Sequence, residues 1–255
     1  MKVTELPSLK SNKILLIGNS GAGKTGACLE LAKAGYTLRI ADFDDKAGDL
    51  AVKSGILDAE AQARVDVIPC RVAKTSQAGA YRIFKKALVD WEGQGGLADW
   101  DSNTILIVDS LTYMSQAIFD NAELMNPGVI DRRQLYHAAQ TELHRRLSSI
   151  TASAVRASVI VTAHIQYIDI FAKQKELPAR TEGYPKTSGR ALSPYIGTYF
   201  NSLLEVDIES NAKRIIRTKP SRFIKTKIPV LAKKGLKDKY PVAGGLVEIF
   251  KLLKA

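Results

Sequence analysis

An α/β fold with a mostly parallel central sheet flanked by helices is what this sequence predicts, and three observations predict it. Short runs rich in Ile, Leu and Val alternate with longer stretches of helical periodicity. A glycine-rich turn, "GNSGAGKT" at 18–25, joins the first apolar run to the first helical stretch. A later apolar run, "TILIVDS" at 104–110, ends on an aspartate.

Taken in order, the strands are expected at 13–18 (KILLIG), 36–42 (YTLRIAD), 65–70 (VDVIPC), 103–109 (NTILIVD) and 157–163 (ASVIVTA). Each is short, β-branched and bounded by turn residues. Amphipathic stretches at 24–34, 46–57, 78–93 and 131–155 supply the helices between them. From about 199 the pattern changes to "YFNSLLEVDIE", "KRIIRTKP" and "RFIKTKIPV". These read as short antiparallel strands joined by tight turns, before a last helix near 245–254. With no repeat, low-complexity tract or linker, a single domain over 1–255 is expected, its core at about 12–210 and a basic antiparallel extension with the last helix at about 211–255.

Composition narrows the class. At 45% hydrophobic and 25% charged, the chain is ordinary globular protein rather than disordered. The start, "MKVTELPSLKSNK", lacks the apolar centre of a signal peptide, and no apolar run approaches a membrane span. A cytoplasmic protein without a membrane partner is therefore expected. Cys28 and Cys70 sit in apolar segments and form no C-x-x-C pair, so both read as buried thiols. The charge is uneven: residues 211–240 hold eleven Lys and Arg against Asp238 alone, nearly the whole net charge of +11. Such local basicity points to an anionic partner.

Gly18, Gly21 and Gly23 with Lys24 and Thr25 complete G-x-x-x-x-G-K-T. Glycines at this spacing let backbone N–H groups turn inward around phosphates. Gly18, Asn19, Ser20, Gly21, Ala22, Gly23, Lys24, Thr25 and Gly26 are thus the expected ATP cradle. Lys24 reaches the β- and γ-phosphates, and the Thr25 hydroxyl ligates Mg²⁺. Asp109, at the end of its apolar strand, is placed to hold Mg²⁺ through water. A guanine-specific [NT]-K-x-D and an LSGGQ-like signature are both missing from the sequence, and Asn19 is not the second lysine of partition-type ATPases. His137 and His144, on one helical stretch, lack metal-ligand spacing and read as surface residues.

"GNSGAGKT", "IADFDD", "ILIVDS" and "VIVTAH" occur in this order in the chain. That order and approximate spacing resemble the RecA-like P-loop NTPase core. The resemblance is closest to small bacteriophage RecA-like ATPases, including minimal single-strand annealing proteins. It covers about 12–240 and takes in "GRALSPYIGTYFN".

The resemblance implies roles. An acid after the second core strand handles the attacking water, and of Asp42, Asp44 and Asp45 the offset matches Asp44. RecA itself carries the longer Glu there, so slow hydrolysis is expected. His164 stands where the class senses the γ-phosphate. Lys225 and Lys227 in "FIKTK" resemble a K-x-K/R element that neighbouring subunits insert at the γ-phosphate, with Lys in place of the usual Arg at the second position.

Single-stranded DNA is the implied partner, through loops at about 121–133 and 167–191. The second holds Lys173, Lys175, Arg180, Lys186 and Arg190 among Tyr167, Phe171 and Tyr184, cations and stacking faces suited to a single strand. Lys233, Lys234 and Lys237 add candidates from the basic run. The resemblance further implies a homo-oligomer, ring or filament, with a single-stranded DNA-binding protein as a candidate partner. Seventeen residues precede Gly18, which favours annealing or loading over strand exchange. Two rival functions share the motifs: a small-molecule P-loop kinase, and a non-hydrolysing, nucleotide-switched DNA-binding module.

Overall fold

The computed structural model describes residues 11–71, 78–171, 178–229 and 235–254. In chain order its N-terminal half holds β1 (Lys13–Gly18), α1 (Lys24–Lys33), β2 (Thr37–Asp42), α2 (Ala47–Lys53), α3 (Ala59–Gln62), β3 (Val65–Pro69), α4 (Ala78–Val89) and β4 (Thr104–Asp109). Then come α5 (Leu111–Met125), α6 (Arg132–Ile150), β5 (Ser158–Ala163), β6 (Ile165–Phe171) and β7 (Pro178–Pro185). A 3-10 turn at Ser193–Tyr199 leads to β8 (Ser202–Ile208), β9 (Arg214–Arg217), β10 (Lys239–Pro241) and α7 (Val242–Lys254).

The main sheet runs β10-β9-β8-β1-β5-β4-β2-β3. All pairings from β3 to β8 are parallel, and β9 and β10 add antiparallel strands at one edge. The expected mostly parallel α/β architecture with a C-terminal antiparallel extension is what the chain adopts. Strand alternation explains the two helical layers. Leu15, Ile17, Leu106, Val108, Val159 and Val161 point to one face and pack under α4, α5 and α6. Ile14, Leu16, Ile105, Ile107, Ile160 and Leu204 point to the other, under α1 and α7. Strands buried on both faces need continuous apolar runs, and β1, β4 and β5 are buried along their whole length. Cys28 and Cys70 are free and buried, as expected.

Four expectations need correction. The 111–125 stretch forms α5, so the expected DNA loop at 121–133 shrinks to the connection at 126–131, with its ends taken up by α5 and α6. Leu111, Met114, Ile118 and Ala122 carry the helical spacing and are buried, which is why the helix runs on to Met125. The supposed loop at 167–191 is largely an antiparallel hairpin, β6 on β7, outside the main sheet. β8 is a parallel core strand beside β1 rather than part of the antiparallel extension. The helix expected at 46–57 stops at Lys53, with a separate short turn of helix at Ala59–Gln62.

Close packing of β8 on β1 dictates Gly18. A Cβ there would lie 2.4 Å from the backbone oxygen of Val206, and backbone cannot move aside as a side-chain tip can. Gly48 in α2 faces open space. Gly18→Ala is expected to lower unfolding free energy by about 1–3 kcal/mol, whereas Gly48→Ala should raise it by roughly 0.5–1 kcal/mol. Denaturant melts of the two variants check both signs.

Candidate functional site

The glycine-rich turn closes on itself between β1 and α1. Gly23, at the start of α1, has φ 104 and Gly21 has φ 76, both in the region that favours glycine. The Ala22 N–H donates to Asn19 O at 3.3 Å, and Lys24 Nζ donates to the carbonyls of Gly18 and Asn19 at 2.9 Å each. The lysine is buried, and burial lowers its pKa against the raising effect of Asp109 and Asp44.

Asp109 ends β4 two strands away in the sheet. Its carboxylate is 2% exposed and accepts from Thr25 Oγ1 at 2.6 Å and from Thr162 Oγ1 of β5. Burial raises its pKa, the two threonine hydroxyls oppose the rise, and Asp44 and Asp42 add to it. Thr25 and Asp109 thus form a hard-oxygen pair beside the phosphate loop, a donor set that fits Mg²⁺. Among the described residues no group of three or more His, Cys, Asp or Glu is arranged around a metal. Mg²⁺ held chiefly by phosphates and water does not require one.

The three acids of "IADFDD" separate by role. Asp42 accepts backbone N–H bonds from Asp44, Asp45, Lys46 and Ala47, at 2.7–3.1 Å, and so shapes the turn into α2. Asp45 is exposed, with φ 59. Asp45 and Asp44 both line the cleft, and Asp44 is the one that meets its other polar groups: Ser110 Oγ donates to its Oδ1 at 2.7 Å, and His164 Nε2 lies 3.6 Å from Oδ2. Burial pushes the Asp44 pKa up, but His164, Ser110 and the Lys24 charge outweigh it and leave the carboxyl below its ordinary value.

His164 follows β5 and roots the hairpin. Its carbonyl accepts from the Lys186 N–H at 2.8 Å, and its N–H donates to Thr112 Oγ1 at 3.1 Å. Thr112 Oγ1 in turn donates to Lys186 O at 3.1 Å. Both ends of the hairpin are therefore tied to the residue beside Asp44.

A cleft of about 740 Å³ gathers the phosphate loop, Asp44, Asp109 and His164. Its walls include α2 and, on the opposite side, Arg214, Val242 and Ala243. Arg214 is exposed and stands in a run of like cations in the sequence, where nothing local marks it. Lys225 and Lys227 do not line the cleft. Lys225 Nζ lies 3.0 Å from Glu182 Oε1, and Lys227 Nζ donates to Phe200 O at 2.6 Å.

The DNA-binding candidates spread over two surfaces. Tyr167, Phe171, Arg180, Lys186 and Arg190 are exposed on and just after the hairpin, with Arg180 Nε 3.0 Å from Glu182. Lys173, Lys175, Lys233 and Lys234 lie outside the described residues. Lys237 is 3.4 Å from Glu248. The basic run is not a strip of bare charge. Arg217 pairs with Asp207, Lys219 with Asp238, Lys225 with Glu182 and Lys239 with Glu209. His144 bonds the Tyr199 hydroxyl on the surface of α6. No described helix is long and apolar enough to cross a membrane.

No protein-family model matches the chain, and no curated protein matches it. Among solved structures it is similar to a RadB recombinase, at 16% identity and TM-score 0.46 over 86% of this chain and 83% of that one. It is also similar to an ATPase from the type III secretion system of pathogenic bacteria, at 10% identity and TM-score 0.47 over 81% and 56%. A third is the ATP synthase subunit NeqB from Nanoarcheaum equitans, at 11% identity and TM-score 0.45 over 83% and 52%. The chain spans little more than half the length of the last two. Likenesses this distant say nothing of substrate or partner.

Because the Asp109 pKa is raised in the fold, its stabilising contribution is complete below the unfolded pKa and is lost as pH rises through the folded one. At pH 7 its ionised form therefore favours folding less than the protonated form would. Asp109→Asn should therefore melt no lower than the parent at pH 7, while losing the rise in melting temperature that Mg²⁺ with ATP gives the parent. Thermal melts with and without Mg²⁺ and ATP check both halves.

Proposed function

We propose that this chain binds ATP with Mg²⁺, hydrolyses it slowly, and uses that cycle to control single-stranded DNA binding in phage-type recombination, annealing or replication. The chain acts as one cytoplasmic domain that assembles into a homo-oligomer. The observation that supports this best is the meeting of Lys24, Thr25, Asp44, Asp109 and His164, from four separate segments, in one cleft.

Each residue then has a task. Backbone N–H groups of the 18–26 loop and Lys24 hold the phosphates. Thr25 and Asp109 would hold Mg²⁺, which offsets phosphate charge when bound. Asp44 is ionised at neutral pH and orients the attacking water. Its lowered pKa makes it a weak proton acceptor, which favours slow turnover. His164 couples the site to the hairpin, since any shift of its backbone pulls on Lys186 and Thr112. Exposed Tyr167 and Phe171 supply stacking faces, and Arg180, Lys186 and Arg190 supply charge along a strand.

Phosphate release measured with and without single-stranded DNA tests the whole proposal. Lys24→Ala should abolish ATP binding and release. Asp44→Asn should keep ATP binding but lose turnover by about 10²–10⁴-fold. Stimulation by a small phosphate acceptor instead of DNA would assign the chain to the kinases. ATP-dependent DNA binding without phosphate release would make it a switch.

DNA affinity should fall with salt, at roughly −0.7 in the log–log slope per phosphate contacted. Three to five contacts give a slope of about −2 to −3.5. Replacing Lys186 and Arg190 together with Gln should flatten that slope by about 1.4 and weaken different sequences equally. An unchanged slope would remove this surface from the proposal.

A further inference from the structure

We infer that Arg214 is a nucleotide-binding residue, clamping the α- and β-phosphates from the same subunit that supplies the phosphate loop. The inference rests on the nucleotide reading above and adds a residue to it.

Three observations converge. The first is position. Arg214 opens β9, opposite Ile208 of β8, and β8 is the strand laid against the end of β1 at Gly18. The sheet thus delivers Arg214 to the edge of the phosphate loop. The second is contact. Its Cδ lies 3.2 Å from where a Cβ on Gly23 would stand, and Val242 Cγ1 lies 3.3 Å from the same point. The stem is draped over Gly23, the residue just before α1, and the side chain lines the cleft. The backbone at Ala243 and Gly244 departs from helix, so the chain entering α7 bends where it helps form this wall.

The third is charge. Arg217, three residues along the same strand, is held by Asp207 at 2.9 Å, and Lys239 across from it is held by Glu209 at 2.7 Å. Among the described residues no carboxylate lies within 4.0 Å of the Arg214 guanidinium, although Arg214 sits among those paired groups. An arginine at the mouth of a phosphate cleft, with its stem fixed and its fork open, suits bidentate binding of phosphate oxygens.

The end of the cleft decides which phosphates. Lys24, Asp109, Asp44 and His164 mark the γ-phosphate end, while Gly23 lies at the opening of α1, where the inner phosphates meet helix N–H groups. Arg214 acts on the part that ATP and ADP share.

Arg214→Met keeps most of the stem and removes the charge, and Arg214→Lys keeps the charge without the fork. Equilibrium binding of ATP, ADP and adenosine, with melting temperature as a folding control, reads the outcome. Arg214→Met should weaken ATP and ADP alike by roughly ten- to a hundredfold, the loss of a charge-assisted hydrogen bond. Adenosine binding should not change, the salt dependence of ADP binding should fall, and Arg214→Lys should recover part of the affinity. Unchanged ADP affinity in Arg214→Met, with Lys24→Ala inactive in binding, overturns the inference and leaves the nucleotide site intact. Weakening of ATP alone, or of single-stranded DNA measured without nucleotide, also overturns it by moving the contact to the γ-phosphate or to the basic surface. If Lys24→Ala binds ATP normally, the nucleotide reading itself fails.

Discussion

The burial of one carboxylate at the carboxyl edge of the sheet organises this molecule. Asp109 is 2% exposed. An ionised carboxylate in that place is tolerated only if its oxygens are bonded. Thr25 satisfies one oxygen and Thr162 the other, so the phosphate loop and β5 are both drawn to the end of β4. The Asp109 carbonyl does a second job, accepting from the N–H groups of Phe43 and Asp44 at 2.6 and 3.1 Å. The turn that carries Asp44 is thereby fixed against the same strand end. The glycine-rich loop, Asp44 and the strand leading to His164 share one anchor.

The same strand end also places the root of the hairpin beside the cleft. His164 leaves β5 directly into β6, and the hairpin returns to bond the same residue through Lys186. The hairpin is not free at its other face. Gly183 donates to Phe223 O at 2.8 Å, Tyr167 packs edge-on against Phe223, and Glu182 holds both Arg180 and Lys225. The hairpin is thus held at its root beside the cleft and along its outer face by the Phe223 segment.

Legibility in the sequence followed the range of the interactions. β1, β2, β4 and β5 were readable within a residue or so, because a strand buried on both faces must be apolar throughout. The phosphate loop was readable because its geometry is local: Gly21 and Gly23 adopt positive φ within one turn. α5 is legible in the spacing of Leu111, Met114, Ile118 and Ala122, all buried on one face. The hairpin and the parallel placement of β8 depend on partners far along the chain, Ile165 with Pro185 and Leu16 with Leu204, which no local pattern announces. Asp42, Asp44 and Asp45 were equivalent as letters. Only the four backbone N–H groups converging on Asp42 separate the turn-building acid from the one left for chemistry.

The basic run shows how much charge counting can mislead. Read as sequence, 211–240 is a continuous positive field; folded, Asp207, Glu209, Glu182 and Glu248 arrive from outside the run to meet Arg217, Lys239, Lys225 and Lys237. Exposed pairs of this kind add about 0–1 kcal/mol each to stability. Their larger effect is on the field: each pair becomes a short dipole, screened within about 8–10 Å at physiological salt. A phosphate backbone must then compete with a resident carboxylate at each paired cation. The attraction is strongest where no such competitor stands, and at Arg214 that place lies over the phosphate loop. Among the described residues, five cations of the run, Arg217, Lys219, Lys225, Lys237 and Lys239, thus meet a carboxylate once the chain is folded, while Arg214 lines the cleft.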